Sequence, residues 1–253
     1  MINDLRLRLY FLGLIVLVFF KTANGPIVDL VPALASFTEI TGWSLRTSGQ
    51  VISLKWLAIA SLASCIWLPK NAITRFLGLL FFSFFMLGLY SQVYSRQLDY
   101  IPHSENIHFF LLLALFVVSL SKIEIEKKRL NQVFCFIIGW TYAAAFLTKI
   151  DNVGWDWATG ETLPAYFTTF WLITESSTLA DLARSPNFTK LVGISTLAFE
   201  LFALPLLLFS KTRNLTILAA LIFHFSVWWI LGINFFVSYL IGFVLVWKTR
   251  ESS

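Results

Sequence analysis

"NLTILAALIFHFSVWWILGINFFVSYLIGFVLVW", Asn214 to Trp247, runs for 34 residues without an Asp, Glu, Lys or Arg. As one helix it would be about 50 Å long, whereas the hydrocarbon core of a bilayer is about 30 Å thick. Without steep tilt a single span is too long, so the stretch reads as two spans broken at Gly232–Asn234. Outward from it, charge-poor stretches recur at 6–21, 50–68, 73–95, 106–121, 130–148 and 190–209. The expected fold is all-α: a polytopic integral membrane helical bundle of about six to eight transmembrane spans. It forms one domain over residues 1–253, with no soluble domain.

Composition agrees. The chain is 58% hydrophobic and 13% charged, with 26 Phe, 10 Trp and a mean hydropathy of +0.77, so a soluble enzyme domain is excluded and any chemistry belongs inside the bundle or at its rim. The net charge of +5 comes from scattered basic residues, which argues against nucleic acid as a partner. Cys65 and Cys135 lie in apolar stretches and suggest neither a disulfide framework nor a metal site. Arg6 and Arg8 before "LYFLGLIVLVFF" imitate a secretory signal, but no small-residue cleavage site follows, so this reads as an uncleaved first span. No internal repeat is read.

Basic residues set the orientation. Twelve of the 19, among them Arg6, Lys70, Arg75, Lys127, Arg213 and Lys248, fall on one side if the N terminus is inside, which puts both termini in the cytoplasm. The outer segments 22–49 and 150–189 are too long for turns. They carry "IVDLVPALASF" and "LPAYFTTFWLI", which read as interfacial or re-entrant helices.

Nine positions stand out from this apolar background. Lys149 ends the fifth span; it is either a snorkelling anchor or, if desolvated, a base. Asp151 and Asp156 would hold such a lysine charged. Trp155 and Trp157 flank Asp156, with Gly160 following; they are either interface-belt residues or the rim of a site. His108 sits just inside the outer end of the fourth span, where Ser104 or Asn106 would cap the helix. His224 and Glu200 lie mid-span, where an ionisable group needs a partner within the bundle, and each is a candidate partner for the other. No phosphate loop, nucleophile elbow, zinc signature or dinucleotide fingerprint is present.

"WTYAAAFLTKIDNVGWDWATGE" resembles a segment of the vitamin K-dependent gamma-carboxylases and their bacterial relatives, through Tyr142, Ala145, Lys149, Ile150, Trp157 and Gly160. "ENIHFFLLLALFVVSLS" resembles the family's Asn-His helix through Asn106 and His108. The region from Glu200 through Pro205, His224 and Gly232 to Phe235 resembles its later Glu, Leu-Pro, Phe-His and Gly-Ile-x-x-Phe elements. The order and spacing match over most of the chain, which resembles the horizontally transferred transmembrane domain of that superfamily.

The resemblance implies a site open to the outer face of a bacterial inner or plasma membrane. Lys149 would be the base that deprotonates a reduced, vitamin K-like quinone, and His108 would stabilise the reacting species. Trp157, Asp156, Tyr142, Glu200 and His224 would support a substrate pocket. The substrate would be a quinol, a lipid or a peptide, in carboxylase-like (lyase) or other quinol-dependent chemistry. Two departures are visible: the motif glycine before the lysine is Phe146 or Leu147, and the large lumenal region of the carboxylases is absent. Two other functions therefore stay open, a non-catalytic partner in maturation or export of a secreted peptide and a quinone-interacting subunit of an oxidoreductase.

Overall fold

The computed structural model describes residues 4–20, 48–94, 106–120, 127–165, 181–182, 184–231 and 235–247. Among these residues the regular structure is helical and no strand occurs. The helices are α1 (Asp4–Phe20), α2 (Ser48–Trp67), α3 (Ala72–Tyr94), α4 (Asn106–Leu120), α5 (Lys127–Val153), α6 (Asp156–Thr159), α7 (Pro186–Leu208), α8 (Arg213–Leu231) and α9 (Phe236–Val246). Four stretches within them are long and apolar enough to cross a membrane: Gly49–Trp67, Ala72–Leu89, Arg129–Val153 and Pro186–Leu208.

Each charge-poor stretch coincides with a helix, and the ends agree to within a few residues except in α5. That helix runs on to Val153, so Lys149 lies inside its last turns and not at its end. α8 is described to Leu231 and α9 from Phe236, and the expected break near 232–234 falls between them. Residues 232–234 themselves lie outside the described set, as do 22–47, most of "LPAYFTTFWLI" and the capping position Ser104.

The chain divides into two compact units, Met1–Leu130 and Asn131–Ser253, and the division falls near the start of α5. In the first unit α1 packs on α2, α2 on α3 and α3 on α4 around Tyr10, Phe11, Phe82 and Phe85. The Lys55 ammonium donates to the Phe19 carbonyl at 2.6 Å, where the C-terminal end of α1 presents carbonyls and a partial negative charge. Arg75 is buried and donates to the carbonyls of Pro69 (2.7 Å) and Leu115 (2.5 Å). Its charge is thus held by peptide dipoles.

The second unit holds α5 to α9. Gly139 lets α5 and α7 touch: a Cβ there would stand 2.8 Å from the Leu204 Cα. Pro186 starts α7, where the missing N–H costs nothing. Pro205 lies inside the same helix and leaves the Leu201 carbonyl without its helical donor. The short α6 then lies across the first turns of α7.

Candidate functional site in the second unit

Three helices contribute side chains to one polar cluster. On α5, Tyr142 and Lys149 are seven residues apart, two turns along one face. On α7, Gly193 and Glu200 have the same spacing. On α8, His224 shares its buried face with Ile217 and Ala220.

Lys149 Nζ donates to Glu200 Oε1 at 2.6 Å; the lysine side chain is 22% exposed and the glutamate side chain 6%. Glu200 Oε2 is buried and has no hydrogen-bond partner among the described residues. The lysine ammonium also lies 5.2 Å from the centre of the Trp157 ring, a cation–π distance. Trp157 is buried with Leu163 and Leu197, against Phe146, Ile150 and Val153. It therefore covers the ion pair with an apolar, electron-rich plate.

Two glycines bring this cover down onto α7. Gly160 takes φ +83° and closes α6: its N–H reaches the Asp156 and Trp157 carbonyls, and the Glu161 N–H reaches Asp156, a Schellman arrangement. A Cβ at Gly160 would run into the backbone of Thr189 and Lys190, and one at Gly193 would collide with the Trp157 carbonyl. From Gly193 to Glu200 is seven residues, about 10 Å along the axis. The carboxylate therefore sits about two turns beneath α6.

Below the ion pair, Tyr142 Oη and His224 Nε2 are 2.8 Å apart. The His224 ring stacks on Tyr239 of α9, with centroids 3.9 Å apart and planes 16° from parallel. Tyr239 Oη is 3.0 Å from Thr141 Oγ1. His224 Nδ1 is buried with no hydrogen-bond partner among the described residues. The expected pairing of Glu200 with His224 is thus replaced by two pairings, Glu200 with Lys149 and His224 with Tyr142. The cause is helix geometry: α5 carries both Tyr142 and Lys149 on one face and satisfies each mid-span group separately.

The remaining candidates are placed as follows. Asp156 is exposed on the first turn of α6, and Glu200, not Asp156, is the lysine's ion-pair partner. Trp155 is exposed and takes no part in the cover. His108 belongs to the first unit, fully buried, with Nδ1 3.4 Å from Tyr10 Oη and its ring edge-on to Phe82. Leu147, Thr148, Ile150 and Asp151 line an open depression beside the end of α5.

Tyr239, Thr141 and Gly193 were not singled out from the sequence. Tyr239 carried a signal nonetheless, since a tyrosine hydroxyl in an apolar helix needs a partner. Gly193, two turns before a mid-helix glutamate, marked a close approach. Chemically, the cluster offers a short ammonium–carboxylate hydrogen bond, an unused carboxylate oxygen and a tyrosine–histidine pair, all inside an apolar packing. Comparison with family models, with curated proteins and with solved structures gives no match.

Proposed function

We propose that this chain is a membrane-embedded, carboxylase-like protein in which Lys149 and Glu200 together take a proton from a membrane-soluble quinol at the outer face. One observation carries the reading. Six of the positions that carry the resemblance, Tyr142, Lys149, Trp157, Gly160, Glu200 and His224, converge from two of its three segments on a single packed cluster in the second unit, whereas His108 of the third segment belongs to the first unit. The four long apolar helices support the membrane setting. The charge asymmetry supports cytoplasmic termini, and the lengths of the charge-poor stretches support a bundle of about six to eight spans.

The proton steps are simple. The ammonium hydrogen passes along the 2.6 Å hydrogen bond to Glu200, leaving a free amine and a carboxylic acid. The amine then takes the quinol hydroxyl proton, so the quinol O–H bond breaks and an N–H bond forms. Lys149, with its ammonium renewed, would pair with the deprotonated quinol, and the Trp157 ring would cover one side of that pair. The apolar setting strengthens that ion pair relative to water. Arginine at position 149 would keep the charge but could not release a proton to Glu200.

The test uses the full chain in lipid nanodiscs, titrated anaerobically with a reduced naphthoquinone. The expected result is a difference spectrum of bound quinolate that is lost in Lys149→Arg while the thermal midpoint is kept. A spectrum unchanged in Lys149→Arg would remove Lys149 from the proton step. No binding to the unaltered chain would overturn the quinol reading in favour of a non-catalytic partner in peptide maturation or export.

A further inference from the structure

The two units share a detail that their sequences hardly display. In the first, Thr74 Oγ1 donates to the carbonyls of Leu68 (3.1 Å) and Asn71 (3.0 Å), and Arg75 Nε donates to Pro69 (2.7 Å). In the second, Thr212 Oγ1 donates to Leu206 (2.7 Å) and Phe209 (3.2 Å), and Arg213 Nε donates to Leu207 (3.0 Å). Every donor and acceptor is displaced by 138 residues. The backbone follows suit: Arg75 N–H reaches Asn71 at 3.2 Å, and Arg213 N–H reaches Phe209 at 3.1 Å.

The register extends far beyond the turn. Of the twelve buried residues in 189–227, ten fall on buried positions when shifted back into 51–89. The two exceptions, Gly193 and Leu197, are the ones that α6 and Trp157 cover, so the mismatch has a local cause. The order of elements agrees too: in each unit a helix and an intervening segment precede the hairpin, and a shorter apolar helix follows it.

We infer that residues 51–89 and 189–227 are two copies of one helical hairpin, and that the second copy carries the chemistry through two positions that the first fills with apolar side chains. The counterpart of Glu200 is Leu62, and the counterpart of His224 is Met86; all four residues are buried. A hairpin of this design therefore folds without an ionisable group at either place. Glu200 and His224 are function-bearing substitutions on a scaffold that does not need them. The copies differ in closeness: α2 and α3 pack more tightly than α7 and α8. A Cβ at Gly78 would stand 3.3 Å from Cys65 Sγ in the first, whereas Thr216 occupies the matching position in the second.

The inference is independent of what the cluster binds, and two measurements on the full chain decide it. Spin labels at the exposed pairs 68/73 and 206/211 should give turn distances equal to within about 2 Å, since local backbone geometry is all that separates them. Back-conversion of the cluster by Tyr142→Phe, Lys149→Met, Glu200→Leu and His224→Met should leave a folded chain, with a thermal midpoint within about 3 °C of the parent or above it. Unequal turn distances would overturn the duplication. A back-converted chain that fails to fold would show that the polar cluster is structural and overturn its functional assignment. A negative quinol titration would touch neither result.

Discussion

Removing Lys149 should cost far more than removing both members of its ion pair. Lys149→Met strands a carboxylate whose side chain is 6% exposed and whose Oε2 already has no hydrogen-bond partner. Breaking a buried pair from one side costs about 3–5 kcal/mol. At about 2–4 °C per kcal/mol for a chain of this length, the midpoint should fall by roughly 6–20 °C. Glu200→Leu is milder, about 1–2 kcal/mol, because the stranded ammonium keeps the Trp157 ring and, at 22% exposure, a route to water. The double change Lys149→Met with Glu200→Leu puts apolar volume where two charges stood and should lie within about 1 kcal/mol of the parent. The coupling energy is then about 4–7 kcal/mol, far above the roughly 0.5 kcal/mol scatter of independent sites. Thermal unfolding of the four proteins in one detergent, followed by circular dichroism, measures it. Additive single changes would refute the pairing.

Other outcomes follow from the same geometry. Gly193→Ala should displace α6 and lower stability by more than about 2 kcal/mol, because its Cβ meets the Trp157 carbonyl; a silent substitution would contradict the close approach. Tyr142→Phe leaves His224 Nε2 without a partner and should cost about 1–3 kcal/mol, read by the same melts. Gly160→Ala should also destabilise, since the left-handed backbone and the Lys190 contact both resist a side chain. An impermeant thiol reagent applied from outside should label a cysteine at Asn152 but not one at Ser252; the reverse pattern would invert the topology.

How much of this was legible in the sequence depends on which interaction fixed each feature. The helices were legible because hydrocarbon length and the scarcity of charge are local properties. The partner of Glu200 was not legible, because Lys149 lies 51 residues away and only the packing of α5 on α7 decides which mid-span groups meet. The convergence of Tyr142 with His224, 82 residues apart, was hidden for the same reason. The hairpin duplication was concealed differently: residues 51–89 and 189–227 share only seven identities in 39 positions. In an apolar helix almost any aliphatic or aromatic side chain satisfies burial, so sequence drifts while register stays. The Thr-Arg dipeptide survives in both copies because its hydrogen bonds are specific to those side chains.

Pro205 gives α7 a mechanical property. The helix rests on a fulcrum at Leu204, where Gly139 admits its backbone, and the missing hydrogen bond at Leu201 weakens the rod beside that point. Below the fulcrum, the Thr212 and Arg213 side chains pin the carbonyls of Leu206 and Leu207. Above it, Glu200 sits on a lever arm about four residues long, roughly 6 Å. A bend of about 10° would swing the carboxylate by roughly 1 Å, enough to stretch the 2.6 Å bond to Lys149 past hydrogen-bonding range. The pair is held at short range by a joint that needs only a small angle to release it.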